Sequence, residues 1–380
     1  MKANLSVMAI FFVLVELFFL VFPGLQPQIL KSKQEKAAYS LERSETHYYE
    51  PGLGAVFKPD VEKKLASQSE FTFTVRTARL GDDRIGIRGD PGDGSPWGVM
   101  LGDSFIMGEG VEQDDLCAKV IERTTGKKFL NLGQSGFSPN QYELIYRRMM
   151  KVHRPKVTVV CIFLNDFEGR PDTELLKDNV TSRWLIDSRS RYARTWLEKN
   201  IFTYRLLHTG VSLLKVGGHP SSKAASRSKF ELIKDKDDEA PHVFGFLLDG
   251  KDEATCVDDK TDPWRAAVQN VEGDLRKLKA DAASIGSRLL IVYIPQREQV
   301  YTHILGTRYK ISPSMDAPGK ALEMISEKLN VPYLDLLPVF RAQSGRRLYW
   351  RVDGHWNPDG NRLAGETISA WLTRKGWVKD

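Results

Sequence analysis

Cysteine is scarce in this 380-residue chain: Cys117, Cys161 and Cys256 are the only three. Three thiols do not make a disulfide framework, and no Cys-x-x-Cys or close His-Cys spacing offers a zinc site. Cys161 stands among Val159, Val160, Ile162 and Phe163, which predicts burial as a small hydrophobe. A strong charge of one sign is missing as well. The net charge is +6, and Lys31, Lys33 and Lys36 form the single local basic cluster. With no basic stripe and no RNA- or DNA-binding motif, a nucleic-acid partner is not expected. Internal repeats are absent. Hydrophobic residues at 41% and charged residues at 27% are ordinary for a globular protein. The length suits one α/β domain with an insertion and a tail.

One long apolar run is present. Residues 5–22 hold no basic residue and one acid, Glu16, and fourteen of the 18 are Leu, Ile, Val or Phe. At helical rise they span about 27 Å, close to the hydrocarbon thickness of a bilayer. The apolar side chains sum to about −6 kcal/mol for insertion, against roughly +3 for one central acid. No small-residue cleavage site follows the run, which is succeeded by Pro23-Gly24-Leu25-Gln26-Pro27. Residues 1–25 therefore read as an uncleaved signal anchor that holds the rest of the chain outside the cytoplasm.

Beyond the anchor, residues 26–96 read as a connector and β-containing leader, with a helix near 34–45. Phe71, Phe73 and Val75 alternate with polar residues there, the period of a half-buried strand. From 97 on, short apolar runs alternate with helical patterns. Strands are expected at 97–101, 129–132, 157–164, 288–294 and 333–336. Helices are expected at 115–123, 140–152 (after Pro139), 263–285, 317–329 and 361–373. Such alternation predicts an α/β fold, a doubly wound parallel sheet with helices on both faces, over 97–168 and 261–380. Residues 169–260 interrupt it as an insertion, with a helical stretch at 188–216 and a polar loop at 217–240. The charged run 234–239 in that loop reads as solvated surface.

Four polar blocks punctuate the pattern: Gly102-Asp103-Ser104-Phe105, Gly133-Gln134-Ser135-Gly136, Asn165-Asp166, and Asp353-Gly354-His355-Trp356-Asn357. The first three each follow a predicted strand, and functional groups collect at strand ends in an open parallel sheet. Alone, Ser104 would read as a helix cap and Asn165-Asp166 as a turn. Together the blocks supply a serine hydroxyl, a glycine amide, an asparagine amide and an Asp-x-His pair, the groups needed for acyl transfer through a serine. Ser104 would be the nucleophile, His355 its base, and Asp353 the group that orients the imidazole. The Ser104 amide, the Gly136 amide and the Asn165 side chain would line an oxyanion hole. Gly354 is expected to permit the turn between Asp353 and His355, and Gly133 to serve a turn of its own. Asp103 and Asp166 read as structural, and Trp356 as either packing or substrate-lining. No cofactor or metal is called for.

The order of these blocks resembles the SGNH hydrolase superfamily, the GDSL-type esterases and lipases, with Ser104, Gly136, Asn165 and His355 at the naming positions. The resemblance extends over roughly 97–132, 157–167 and 288–371. Two departures stand out: Asp353-x-His355 replaces Asp-x-x-His, as in the branch similar to exopolysaccharide O-acetylation proteins, and Phe163 holds a usual glycine position. The resemblance implies a flavodoxin-like sheet and a covalent acyl-enzyme. With the anchor, it points to O-acyl esters, above all O-acetyl esters, of cell-surface carbohydrate, hydrolysed in the leading reading. Transfer in polysaccharide modification, lipid or lysophospholipid ester hydrolysis, and an inactive carbohydrate-binding assembly protein are the alternatives. A membrane acyltransferase is the expected partner, and the periplasm the expected location in a Gram-negative cell.

Overall fold

The computed structural model describes residues 2–67, 70–79, 84–89, 95–167, 189–215, 227–234, 242–248 and 253–379. It divides into two compact units, one of residues 1–47 and 182–223, the other of 48–181 and 224–380. The 169–260 segment thus contributes to both. Most of the 217–240 loop and most of the 234–239 charged run lie outside the described residues.

The first unit is helical. Helix α1 (Lys2–Val21) stops just before Pro23, whose ring disfavours helical geometry in the residue ahead of it. Helix α2 (Gln28–Thr46) follows. Along α1, Ile10, Phe11, Val13, Leu14, Leu17, Phe18 and Leu20 are exposed. Among the described residues, no helix is long and apolar enough to cross a membrane.

The second unit is built on a five-stranded parallel sheet. A small antiparallel leader sheet precedes it: β1 (His47–Glu50), β2 (Gly54–Phe57), β3 (Glu62–Ser67), β4 (Phe71–Arg79) and β5 (Gly86–Arg88), in the order β1-β2-β5-β4-β3. Phe71, Phe73 and Val75 of β4 point inward, as their alternation predicts. The main sheet begins with β6 (Gly98–Leu101), followed by α3 (Ser104–Met107) and α4 (Cys117–Thr125). Next come β7 (Phe129–Asn131), α5 (Pro139–Met150) and β8 (Val157–Ile162). The remaining helices of the first unit fall after β8: α6 (Arg189–Asn200) and α7 (Phe202–Lys215). There the Glu16 carboxylate of α1 accepts from the main-chain N–H groups of Phe202 (2.6 Å) and Thr203 (2.9 Å), capping the amino end of α7. Phe19 stacks on Phe202 beside it, with ring centroids 3.9 Å apart.

In the second unit, β9 (Arg227–Ile233), β10 (His242–Leu248) and β11 (Ala254–Thr255) make an antiparallel sheet. The chain then returns through α8 (Asp262–Ser284), β12 (Arg288–Tyr293), α9 (Ala317–Leu329), β13 (Tyr333–Asp335) and α10 (Pro358–Arg374). The main sheet has the order β13-β12-β8-β6-β7, and each neighbouring pair of strands runs parallel. Counted within the sheet this is the 2-1-3-4-5 order of flavodoxin-like folds.

Alternate residues of the central strands feed opposite cores. Met100, Val159, Cys161, Leu290 and Val292 pack with Ile121, Ile368 and Leu372 on one face. Val99, Leu101, Val160, Ile162 and Ile291 pack with Ile145, Leu275 and Leu322 on the other. Burial on both faces is why these strands read as continuous apolar runs and not as an alternation. All three cysteines are free and buried.

Candidate active site

In this strand order the direction of winding reverses between β6 and β8, and the crevice at their carboxyl ends is where such sheets bind ligands. The polar blocks lie there. Ser104 opens α3 directly after β6, Asn165 sits in the short turn after β8, and Gly136 follows β7. A capped helix start fixes Ser104: the Asp103 carboxylate accepts from the Phe105 N–H over 2.9 Å. Asp103 also accepts from Asn165 Nδ2 over 2.8 Å, which leaves the second Nδ2 proton for a ligand. Asp166 accepts from the Phe163 N–H (2.9 Å) and the Tyr142 hydroxyl (2.8 Å), so it holds the turn that presents Asn165. Both aspartates have structural work, as their placement in the blocks suggests.

Ser104 Oγ lies 2.6 Å from His355 Nε2, although 251 residues separate them. On the other ring edge, His355 Nδ1 pairs with Asp353 Oδ1, which also accepts from the His355 N–H over 3.0 Å. The two-residue spacing therefore brings carboxylate and imidazole together. Burial works against a charged imidazole here, but the Asp353 carboxylate, with Glu109 and Asp103 behind it, raises His355 to about 9. Burial likewise opposes the Asp353 charge, yet His355 holds that carboxyl below its ordinary range. Asp103 moves the other way, pushed up by burial.

Gly136 is exposed and takes a left-handed φ of 73°, a conformation glycine adopts without strain. Among the described residues, the main-chain N–H groups of Ser104 and Gly136 have no hydrogen-bond partner. With the spare Asn165 proton these are three unfilled donors, one after each of β6, β7 and β8 at the carboxyl edge of the sheet.

Two glycine expectations need correction. Gly133 was expected to serve a turn, but the constraint is space: a Cβ there would lie 2.2 Å from the Met107 main-chain nitrogen, because block two packs directly on α3. Gly354 was expected to permit the turn between Asp353 and His355, yet its φ lies outside the left-handed region and a Cβ would meet nothing within 4 Å. Hydrogen bonds close that turn instead, including Trp350 N–H to His355 O at 3.0 Å.

The aromatic neighbours pack. Trp356 is buried between Phe105 (5.1 Å) and Phe340 (5.3 Å), which decides its role for packing. Phe163, at the usual glycine position, packs against Phe105 with ring centroids 4.4 Å apart and planes tilted by 45°.

Four further side chains hold the site, Gln134 within block two and three outside the blocks, and sequence reasoning gave none of them that role. Arg88 of β5 is buried and donates to the carbonyls of Met107 (3.0 Å), Gly108 and Val111, clamping the far end of α3. Gln134 ties block two to the leader sheet, donating to Gly86 O (3.0 Å) and accepting from the Phe57 N–H (3.1 Å). Arg297 donates to the carbonyls of Trp350 (3.2 Å) and Arg351 (3.0 Å) ahead of Asp353. Glu70 accepts from the amides of Arg351, Val352 and Asp353. A buried-looking polar residue inside an apolar stretch, as in Ile85-Gly86-Ile87-Arg88, was the one available signal; Glu70 had none.

Among the described residues, no group of three or more His, Cys, Asp or Glu side chains is arranged to hold a metal ion. A cavity of about 370 Å³ lined by Asn330, Tyr333, Trp371 and Trp377 lies by the amino end of β13, at the opposite end of the sheet from Ser104.

Residues 255–380 match the family described as "SGNH hydrolase-like domain, acetyltransferase AlgX", a stretch that includes Asp353 and His355. Over that stretch the chain is similar to SGNH hydrolase-like domains. It is also similar to the "Probable alginate O-acetylase AlgJ" of Pseudomonas putida, 25% identical over 130 residues. That alignment covers 33% of this chain and 34% of the relative, so the chain spans about a third of the relative it matches. Among solved structures, TesA is 9% identical with a TM-score of 0.39, covering 73% of this chain and 98% of its own. The acetylxylan esterase Axe2 of Geobacillus stearothermophilus is 13% identical with a TM-score of 0.36, covering 74% and 95%. Likeness this distant carries no weight for substrate or activity.

Proposed function

We propose that this chain is an SGNH-type, serine-dependent enzyme that acts on O-acyl, and specifically O-acetyl, esters of carbohydrate through an acyl-enzyme. The observation that carries the reading is the 2.6 Å approach of Ser104 Oγ to His355 Nε2, with Asp353 on the opposite nitrogen. In the first half-reaction, neutral His355 takes the hydroxyl proton as Ser104 Oγ attacks the ester carbonyl. The carbonyl oxygen becomes an oxyanion that the N–H groups of Ser104, Gly136 and Asn165 receive. The C–O bond to the sugar then breaks, and the leaving alkoxide takes the proton back from His355. In the second half, an incoming hydroxyl group loses its proton to His355 and attacks the Ser104 ester, freeing the serine. Asp353 stays ionised throughout and stabilises the imidazolium.

Water as the acceptor makes the enzyme an esterase; a saccharide hydroxyl makes it an O-acetyltransferase. The residues above serve both, and the outcome turns on whether an acceptor is bound and water kept out. The sequence reading leads with hydrolysis. A second reading, transfer, has its own support in the matched family, described as an acetyltransferase, and in the relative, described as a probable alginate O-acetylase. The exposed apolar surface of α1 supports a further part of the proposal, attachment to a membrane with the catalytic unit outside the cytoplasm and a membrane acyltransferase as acyl donor.

The test supplies an acetyl donor and an oligosaccharide acceptor to the full chain and to Ser104→Ala. Mass spectrometry follows acetylated sugar against free acetate, and a fluorophosphonate probe reports on the serine. Loss of both products and of labelling in Ser104→Ala is expected, with an unchanged circular dichroism spectrum. Unchanged turnover in that variant would refute the enzymatic reading. A tenfold preference for dodecanoyl esters over acetate, about 1.4 kcal/mol in transition-state binding, would move the substrate to lipid.

A further inference from the structure

Three successive main-chain N–H groups, those of Arg351, Val352 and Asp353, converge on one carboxylate. Val352 donates to Glu70 Oε2 over 2.9 Å, Asp353 to the same oxygen over 3.0 Å, and Arg351 to Oε1. Consecutive N–H groups of this kind form an anion-binding nest, and hydrogen bonds to a charged acceptor are the stronger class. Glu70 comes from outside all four blocks. It immediately precedes β4 of the leader sheet, and its neighbour Phe71 packs on Trp350 with ring centroids 4.8 Å apart.

We propose that Glu70 is a positioning residue for the Asp353–His355 pair: by filling the nest it fixes the main chain of Asp353 and keeps that residue's own carboxylate turned to His355. The proposal rests on the roles given above to Ser104 and His355. A short acidic side chain bonds readily to nearby main-chain N–H groups, and three unfilled amides would compete for the Asp353 carboxylate. With Glu70 in the nest, Asp353 Oδ1 is free to accept from His355 N and Nδ1. The carbonyl side of the same loop is held independently. Arg297 donates to Trp350 O and Arg351 O, and the Val243 N–H donates to Arg351 O over 2.9 Å. Neither reaches the N–H of Asp353, which among the described residues Glu70 alone receives. A displacement of about 1 Å in a catalytic group can cost on the order of 100-fold in rate, so one carboxylate in this nest has leverage on the chemistry.

The test compares Glu70→Ala, Glu70→Gln and Glu112→Gln in the full chain. Glu112 accepts from the Thr74 N–H of β4 over 3.0 Å through one oxygen, which glutamine keeps, so Glu112→Gln removes an acidic charge beside the same strand without touching the nest. Two readouts are taken: the rate of fluorophosphonate labelling at Ser104, and the titration of His355 followed by ¹⁵N-histidine NMR. Glu70→Ala should label about 10- to 100-fold more slowly. Its His355 midpoint should fall toward the ordinary imidazole value as Asp353 turns away. Glu70→Gln, which keeps one acceptor oxygen, should fall between, and Glu112→Gln should match the wild type in both. The proposal is overturned if the Glu70 variants keep the wild-type rate and midpoint, or if Glu112→Gln loses as much as they do. A wild-type protein that the probe does not label would defeat the functional reading instead, while the His355 titration would still decide the role of Glu70.

Discussion

Asn165 Nδ2 donates to the Asp103 carboxylate over 2.8 Å, joining the turn after β8 to the cap of α3. One buried aspartate thus sets both the helix that carries the nucleophile and the side chain proposed to receive the oxyanion. Asn165→Ala should lower kcat about 100- to 1000-fold, the range for loss of one oxyanion donor, with little change in KM. Asp103→Ala should lower kcat as well and also cost about 1 kcal/mol of stability through the lost cap. Steady-state kinetics with an aryl acetate and urea melts separate the two; an Asn165→Ala enzyme at full kcat would remove that side chain from the oxyanion hole.

The raised His355 sets a pH dependence. With its folded value at about 9, imidazole is mostly charged at neutral pH, and the neutral base accumulates as pH rises through about 9. The rate of phosphonate labelling should climb across that range. Asp353→Asn removes the main raising charge, so it should move the midpoint down while lowering the limiting rate through a misplaced tautomer. For stability the sign is opposite. A group raised on folding contributes fully below its ordinary value near 6.5 and loses that contribution as pH climbs through about 9. Thermal melts at pH 6 and pH 10 should differ less in Asp353→Asn than in the wild type.

The two glycines make a paired test of space against conformation. Gly133→Ala forces a Cβ against the α3 main chain, an overpacking expected to cost about 1–3 kcal/mol and to displace Ser104. Gly354→Ala meets open space at an ordinary φ and should stay within about 0.5 kcal/mol of the wild type. Denaturant midpoints and acetate release on both variants check this, and equal losses would contradict the packing argument.

The proposed anchor predicts a location. Alkaline phosphatase fused after Asp380 should be active, and the mature protein should sediment with membranes. Amino-terminal sequencing that begins beyond Pro27 would refute the anchor; an inactive fusion would refute the topology.

The pattern of runs and blocks carried much of this protein. Continuous apolar strands at 97–101 and 157–162 could only be buried on both faces, so a covered parallel sheet was legible from them. Ser104 and Asn165 each stood just past such a run, and the carboxyl ends of neighbouring parallel strands lie side by side, so their nearness through Asp103 could be foreseen without coordinates. The late Asp353 and His355 were legible as a pair but not as to what aims them. Contacts far apart in the chain decided that: Glu70 on the amides before Asp353, Arg297 on the carbonyls, Arg88 on the end of α3. Local periodicity reports which face of an element is buried, because neighbouring side chains share one backbone geometry. A single polar side chain that reaches across the fold to a main-chain group leaves no period, and only the tertiary structure can assign it.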